Sequence, residues 1–112
     1  MTRAQAEVAV SPGDARALAR MAVYQAKAGE DAAARKSLAA AEKLAPRDEQ
    51  VQLRAGVVHA LAGRTEAALD AIQRAIAGGI SPRTVETEYD FAKLRPLPRF
   101  ASMVSTPAEV KR

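Results

Sequence analysis

Few residues in this sequence have the type and spacing that catalysis or metal binding needs. The only histidine, His59, has alanine or glycine three and four positions away on either side, so no carboxylate would share its helix face. The sequence contains no cysteine, which excludes disulfides, thiolate metal ligands and cysteine nucleophiles. One histidine without such partners makes neither a zinc site nor a proton shuttle, and we interpret His59 as a packing residue.

The acidic residues towards the C-terminus do not form a catalytic pair either. Glu86, Glu88 and Asp90 alternate along a predicted helix and therefore point in different directions, which is typical of a solvated face. Gly78 and Gly79 are not followed by the Lys-Ser/Thr pair of a phosphate-binding loop, and no serine has a general base at a recognisable spacing. We therefore expect no enzymatic activity, no cofactor and no bound metal.

The charge balance gives a weak indication of the partner. There are 17 basic and 13 acidic side chains, a net charge of +4, which mildly favours acidic partners but is too scattered to argue for nucleic acid. Aromatic residues make up only 4% and do not alternate with basic ones as base stacking would need. No apolar run reaches membrane-spanning length, and nothing near Met1 resembles a signal peptide. We expect a cytoplasmic chain without membrane contact.

The stretch from Ala15 to Gly79 nearly repeats itself at the offset of 34 residues that separates Gly29 from Gly63. The best-matched pairs are Ala22 with Gly56, Ala34 with Ala68, Leu38 with Ile72, and Ala41 with Ala75. A fixed period in this range predicts pairs of helices stacked on one another. Alanine carries little apolar area, so helices this rich in alanine need close neighbours on both sides.

Polar residues and glycines predict where these helices begin and end. Four residues are expected as N-caps: Asp14, Asp48, Thr65 and Ser81. Gly29 and Gly63 should end their helices in the left-handed conformation. Gly56 and Ala68 should let paired helices approach closely. Leucine at either position would overpack that contact and lower the free energy of unfolding by about 1–3 kcal/mol.

Several of these residues together resemble the signature of a tetratricopeptide repeat (TPR). The first copy has the family's residues in the family's order: Leu18, Met21, Ala22, Gly29, Ala34, Leu38, Ala41 and Pro46. The second copy supplies Gly56, Gly63, Ala68, Ile72 and Ala75, but has Gln52 and Ile80 where the family usually has a large residue and proline. The resemblance implies an all-α fold of antiparallel helix-turn-helix repeats stacked as a right-handed superhelix, an α-solenoid.

The closing part of the chain has a resemblance of its own. Asp90-Phe91, Leu94-Arg95 and Pro98-Arg99-Phe100 look like the segment that ends TPR arrays in many bacterial multidomain proteins. A helix is expected from Ser81-Pro82 to about Asp90, and a last short one from Pro98 to Ser105. The end of the last repeat should be covered by four apolar residues: Phe91, Leu94, Leu97 and Phe100.

These observations divide the chain into five segments. Residues 1–13 are expected to be a partial helix of a preceding repeat or an N-terminal cap, 14–47 and 48–81 the two TPR-like repeats, 82–105 the C-terminal capping helices, and 106–112 a flexible tail.

The resemblance implies a role in protein–protein interaction, as a scaffold or adaptor. In TPR stacks the first helix of each repeat lines a concave groove that binds peptides. By that resemblance the groove would be lined by Arg16, Arg20, Val23 and Lys27 from one repeat and by Arg54, Val57 and Leu61 from the next. A basic strip beside an apolar patch suits an acidic or carboxylate-bearing peptide. The alternative is that these cations only solubilise a helix face.

Two other roles stay open, and one subclass of TPR is not expected. The chain would self-associate as a homodimer if its open end near Thr2 to Val10 met a second copy. It would instead be a non-catalytic appendage if it belonged to a larger multidomain bacterial enzyme or signalling protein. The TPR clamp that grips the C-terminal carboxylates of chaperones uses Lys, Asn, Asn, Lys and Arg at set positions. The corresponding positions here hold Ala19, Val23, Arg54, Thr84 and Glu88. The donors of the clamp are therefore absent, and Glu88 would repel a carboxylate, so we do not expect binding of chaperone C-termini.

Overall fold

The structure, a computed structural model, describes the backbone of residues 14–110 and the side chains of residues 14–105. Within that range the chain is helical and has no strand. Its elements in order are α1 (Asp14–Lys27), α2 (Asp31–Leu44), α3 (Glu49–Leu61), α4 (Thr65–Ala77), α5 (Pro82–Glu86), a 3₁₀ helix (Tyr89–Leu94) and α6 (Pro98–Val110). The partial helix expected at residues 1–13, and the dimer contact expected there, lie outside the described residues.

Helices α1 and α2 form one antiparallel hairpin, and α3 and α4 form a second. Their turns are built alike. The N–H groups of Glu30 and Arg64 each donate to the carbonyl five residues earlier, both at 2.9 Å. The glycine before each donor is left-handed, with φ of 82° at Gly29 and 81° at Gly63, as expected for helix C-caps. The sequence repeat is therefore a repeat of backbone geometry.

The two hairpins pack against each other mainly through α1 and α3. Small residues fill the contacts within and between the hairpins, and eight alanines are completely buried: Ala19, Ala22, Ala34, Ala41, Ala55, Ala68, Ala71 and Ala75. Within the second hairpin, Gly56 of α3 lies directly against α4, because an added Cβ there would be only 2.9 Å from Cγ1 of Ile72. This distance confirms the prediction that Gly56 allows close helix approach, and Ala68 is completely buried on α4.

The helix starts agree with the sequence in part. Asp48 accepts the N–H three residues on at 3.1 Å, and the Ser81 hydroxyl accepts the N–H two residues on at 3.1 Å, so both are N-caps as predicted. The prediction for Thr65 is wrong, because Thr65 is the first residue of α4 and Arg64 occupies the N-cap position without a side-chain hydrogen bond. The short turn that follows the left-handed Gly63 determines this helix start through the backbone alone.

The segment after α4 breaks earlier than expected. Helix α5 ends at Glu86 rather than near Asp90. The backbone of Glu88 is extended, with φ −68° and ψ 120°, and its side chain accepts the N–H of Asp90 at 3.4 Å. Glu88 therefore caps a new 3₁₀ helix, and this break turns the chain back towards α3, which the 3₁₀ helix contacts.

The apolar residues of the closing segment cover the second hairpin, as predicted. Phe91 and Phe100 are fully buried, and their rings meet edge to face with centroids 6.2 Å apart. Leu94 is also buried, and Leu97 packs against the same cluster. The Phe91 ring lies over Gly56, where an added Cβ would be 3.3 Å from its Cζ atom.

Ion pairs orient helix α6 on α4. The guanidinium of Arg99 donates to Glu66 at 2.8 Å and to Asp70 at 2.7 Å. These partners are surface residues, so the contact orients α6 more than it stabilises it.

Helix α6 is also longer than predicted. It runs to Val110, whereas we expected a helix ending at Ser105 and a flexible tail over residues 106–112. Pro107 removes only one backbone donor, and the alanine and glutamate after it favour helix.

Candidate protein-binding surface

Helices α1 and α3 lie side by side, so residues that match at the 34-residue offset occupy equivalent positions on neighbouring helices. Six of the seven residues predicted to line the groove form three such pairs: Arg20 with Arg54, Val23 with Val57, and Lys27 with Leu61. The seventh, Arg16, is matched by Gln50. Two of the four cations form ion pairs and two do not, and of the three apolar side chains two are buried and Leu61 is exposed.

Arg16 is engaged inside the molecule. Its Nε and Nη2 atoms donate to the carboxylate of Asp48 at 2.9 and 2.7 Å, and Asp48 also caps α3. The hydrogen bonds from Arg16 hold the pKa of Asp48 below its ordinary value, against the opposing effect of partial burial. Arg16 therefore ties α1 to the start of α3, and its charge is already compensated.

Lys27 is engaged as well, by the closing segment. Its Nζ lies 3.3 Å from the carboxylate of Asp90, whose side chain is only 11% exposed. We expected Asp90 on a solvated helix face, and that expectation is wrong. The helix breaks before Asp90, and the 3₁₀ helix carries this carboxylate to the C-terminal end of α1.

Arg20 and Arg54 are the cations of this surface that stay unpaired. Arg20 is exposed and Arg54 partly exposed, and neither has a hydrogen bond or ion pair within the described part of the chain. They lie at equivalent positions of two neighbouring helices. Of the predicted basic strip, these two guanidinium groups remain available to an acidic partner.

The apolar part of the predicted groove is mostly core. Val23 is 6% exposed and Val57 is 3% exposed, so neither offers an open surface to a ligand. Leu61, at the C-terminal end of α3, is 41% exposed. The open apolar patch expected from these three residues is therefore reduced to Leu61.

A cleft of about 490 Å³ lies beside Leu61, between the end of α3 and the 3₁₀ helix. Its walls are Ala60, Leu61, Ala62, Gly63 and Thr65 on one side and Tyr89, Asp90, Ala92, Lys93 and Leu94 on the other. Tyr89 is 83% exposed, unusually so for an aromatic side chain. Sequence reasoning missed Tyr89 and Lys93 because nothing in the 34-residue pattern places the 3₁₀ helix against α3.

His59 faces a basic residue rather than an acid. Its Nδ1 accepts a hydrogen bond from Nε of Arg64 at 3.0 Å, and Arg64 also pairs with Asp31 at 3.0 Å. Burial lowers the pKa of His59, and the positive charge of Arg64 lowers it further. The imidazole is therefore neutral and structural at pH 7, and it joins the end of α3 to the start of α4.

The described residues contain no group of three or more histidine, aspartate or glutamate side chains placed to hold a metal ion. None of the helices in residues 14–110 has both the length and the apolarity to cross a membrane. Comparison of the chain with protein families, with curated proteins and with solved structures gives no match.

Proposed function

We propose that this chain is a protein-interaction module that binds an acidic peptide or protein segment along α1 and α3. One observation carries the proposal: Arg20 and Arg54 occupy equivalent positions on neighbouring helices, and neither has an acidic partner within residues 14–105. Two neighbouring guanidinium groups whose N–H donors are free favour carboxylates, which each of them can bind in a bidentate manner. In this interpretation the two hairpins are TPR-like repeats of a right-handed superhelix, and α1 and α3 line its concave side.

The other two basic residues of the predicted groove support the same surface in a different way. Arg16 and Lys27 are paired with Asp48 and Asp90, so they hold the two hairpins and the closing segment in place. A surface whose flanking cations are compensated while its central ones are not is selective for one or two carboxylates. It would not attract polyanions in general.

A charge-reversal pull-down tests the proposal. The Arg20→Glu/Arg54→Glu variant should lose partners that the wild type retains from cell extract. The matched control is Lys36→Glu/Lys43→Glu, which changes the net charge equally on exposed residues of α2. Circular dichroism would establish that both variants stay folded. Retention of every partner by the folded Arg20/Arg54 variant, or equal loss in the control, would contradict the proposal.

Self-association is a second candidate, and Tyr24 favours it. Tyr24 on α1 is 69% exposed, whereas its equivalent on α3, Val58, is completely buried. A face that is covered in one repeat and open in the other is suited to a second copy of the chain. Light scattering of the wild type and of Tyr24→Glu over a concentration series would decide it. A monomer mass at every concentration would rule it out.

A further inference from the structure

We propose that the cleft between α3 and the 3₁₀ helix is an anchor site for one large apolar side chain of the bound peptide. That side chain would lie about three residues from an acidic residue held by Arg54. The proposal rests on the proposed function and makes it specific, because it names the ligand pattern that the surface should select: an extended segment with an acidic and a bulky apolar residue at fixed spacing.

The walls of the cleft fit an apolar side chain. Leu61 from α3 and Ala92 from the 3₁₀ helix both line it, and the buried Leu94 adds to its lining. Tyr89 lines the same cleft and is 83% exposed. Exposed leucine and tyrosine beside a concave space are typical of sites that bury an anchor residue on binding.

The charges around the cleft favour an acidic peptide. Asp90 is the acidic residue among those that line the cleft, and its carboxylate already forms an ion pair with Nζ of Lys27 at 3.3 Å. Lys93, in contrast, is exposed and has no acidic partner within residues 14–105. The cleft therefore presents an uncompensated cation, as Arg54 does further along α3, and a carboxylate-bearing peptide complements both.

The helix geometry determines the spacing. Arg54 and Leu61 are seven residues apart on α3, so they lie on the same face of the helix, about 10 Å from each other along its axis. An extended peptide covers that distance in about three residues, at about 3.3 Å per residue. A carboxylate at Arg54 and an apolar side chain beside Leu61 would therefore belong to residues three positions apart.

Synthetic peptides titrated into the ¹⁵N-labelled protein would test this directly. The probes are glycine-serine peptides with one aspartate and one leucine, separated by one, three or six positions in either order. Amide shifts should be largest for the three-residue spacing and should include Leu61, Gly63, Tyr89 and Ala92. Equal shifts for all spacings would overturn the geometry.

Two variants test the anchor site separately from the cationic site of the groove. Ala92→Trp fills the cleft from an exposed position and should weaken the best peptide about tenfold, the loss expected for one apolar side chain. The matched control, Ala39→Trp on the exposed side of α2, should have no effect. If Arg54→Glu weakens binding but Ala92→Trp does not, the anchor site is wrong and the proposed function stands. If neither variant changes the Kd of a peptide that binds, both are wrong.

Discussion

Replacing Gly56 by alanine tests the physical basis of this fold, the close approach of its helices. Gly56 is buried in the middle of α3, under Ile72 of α4 and Phe91 of the closing segment. In an open helix the same change would stabilise the protein by about 1 kcal/mol, because glycine is the poorer helix former. Here the added methyl group must be accommodated between two completely buried side chains.

The distances decide which effect is larger. The new Cβ would lie 2.9 Å from Cγ1 of Ile72 and 3.3 Å from Cζ of Phe91, both shorter than ordinary carbon contacts. Both side chains are completely buried, and Ile72 is β-branched, so neither gives way at little cost. Overpacking of this kind costs about 1–3 kcal/mol, and its central value of about 2 kcal/mol exceeds the helix gain of about 1 kcal/mol. We expect Gly56→Ala to be about 1 kcal/mol less stable than the wild type.

Urea unfolding followed by circular dichroism would measure this difference, and the melting temperature should fall by about 4–8 °C per kcal/mol. The first hairpin supplies the control, because it has Ala22 and Leu38 where the second has Gly56 and Ile72. The double variant Gly56→Ala/Ile72→Leu copies that pair and should recover part of the loss. A Gly56→Ala protein that is as stable as the wild type, or more so, would refute the reasoning.

Three further predictions concern caps and charges. Asp48→Ala should cost about 1 kcal/mol of unfolding free energy in urea titrations, because the N-cap of α3 is lost; an unchanged midpoint would contradict this. The pKa of His59 is depressed, so unfolded chains bind more protons and stability should fall as pH drops below about 6.5. His59→Gln should remove this pH dependence from chemical denaturation, and an equal slope would show that another group causes it. Arg99→Ala should lower the melting temperature at low salt and have less effect at high salt, since its partners are exposed; salt-independent loss would point to packing instead.

The positions of helices in the two hairpins could be predicted because their signals are local. The caps at Asp48 and Ser81 and the left-handed glycines at Gly29 and Gly63 act within a few residues of backbone. Predictions failed where several local options compete. Thr65 is a good capping residue type, but the preceding turn places the helix start one residue earlier.

The candidate site was less predictable, because its properties depend on residues that are distant in the sequence. The periodicity selects α1 and α3 correctly as neighbours, yet it does not indicate that Asp48 and Asp90 neutralise two of the four predicted groove cations. Burial is equally non-local: Val23 and Val57 have the right period for a groove but are covered by the core.

The amino-acid sequence alone determines the helical hairpins of this protein. The 34-residue repeat of small residues and glycine turns acts through interactions between residues that are close in the sequence. Only the tertiary structure decides which charges stay free and where a cleft opens. The reason is that the 3₁₀ helix contacts α3 through Phe91 and α1 through Asp90. These contacts join residues more than 30 positions apart, and no periodic pattern in the sequence indicates them.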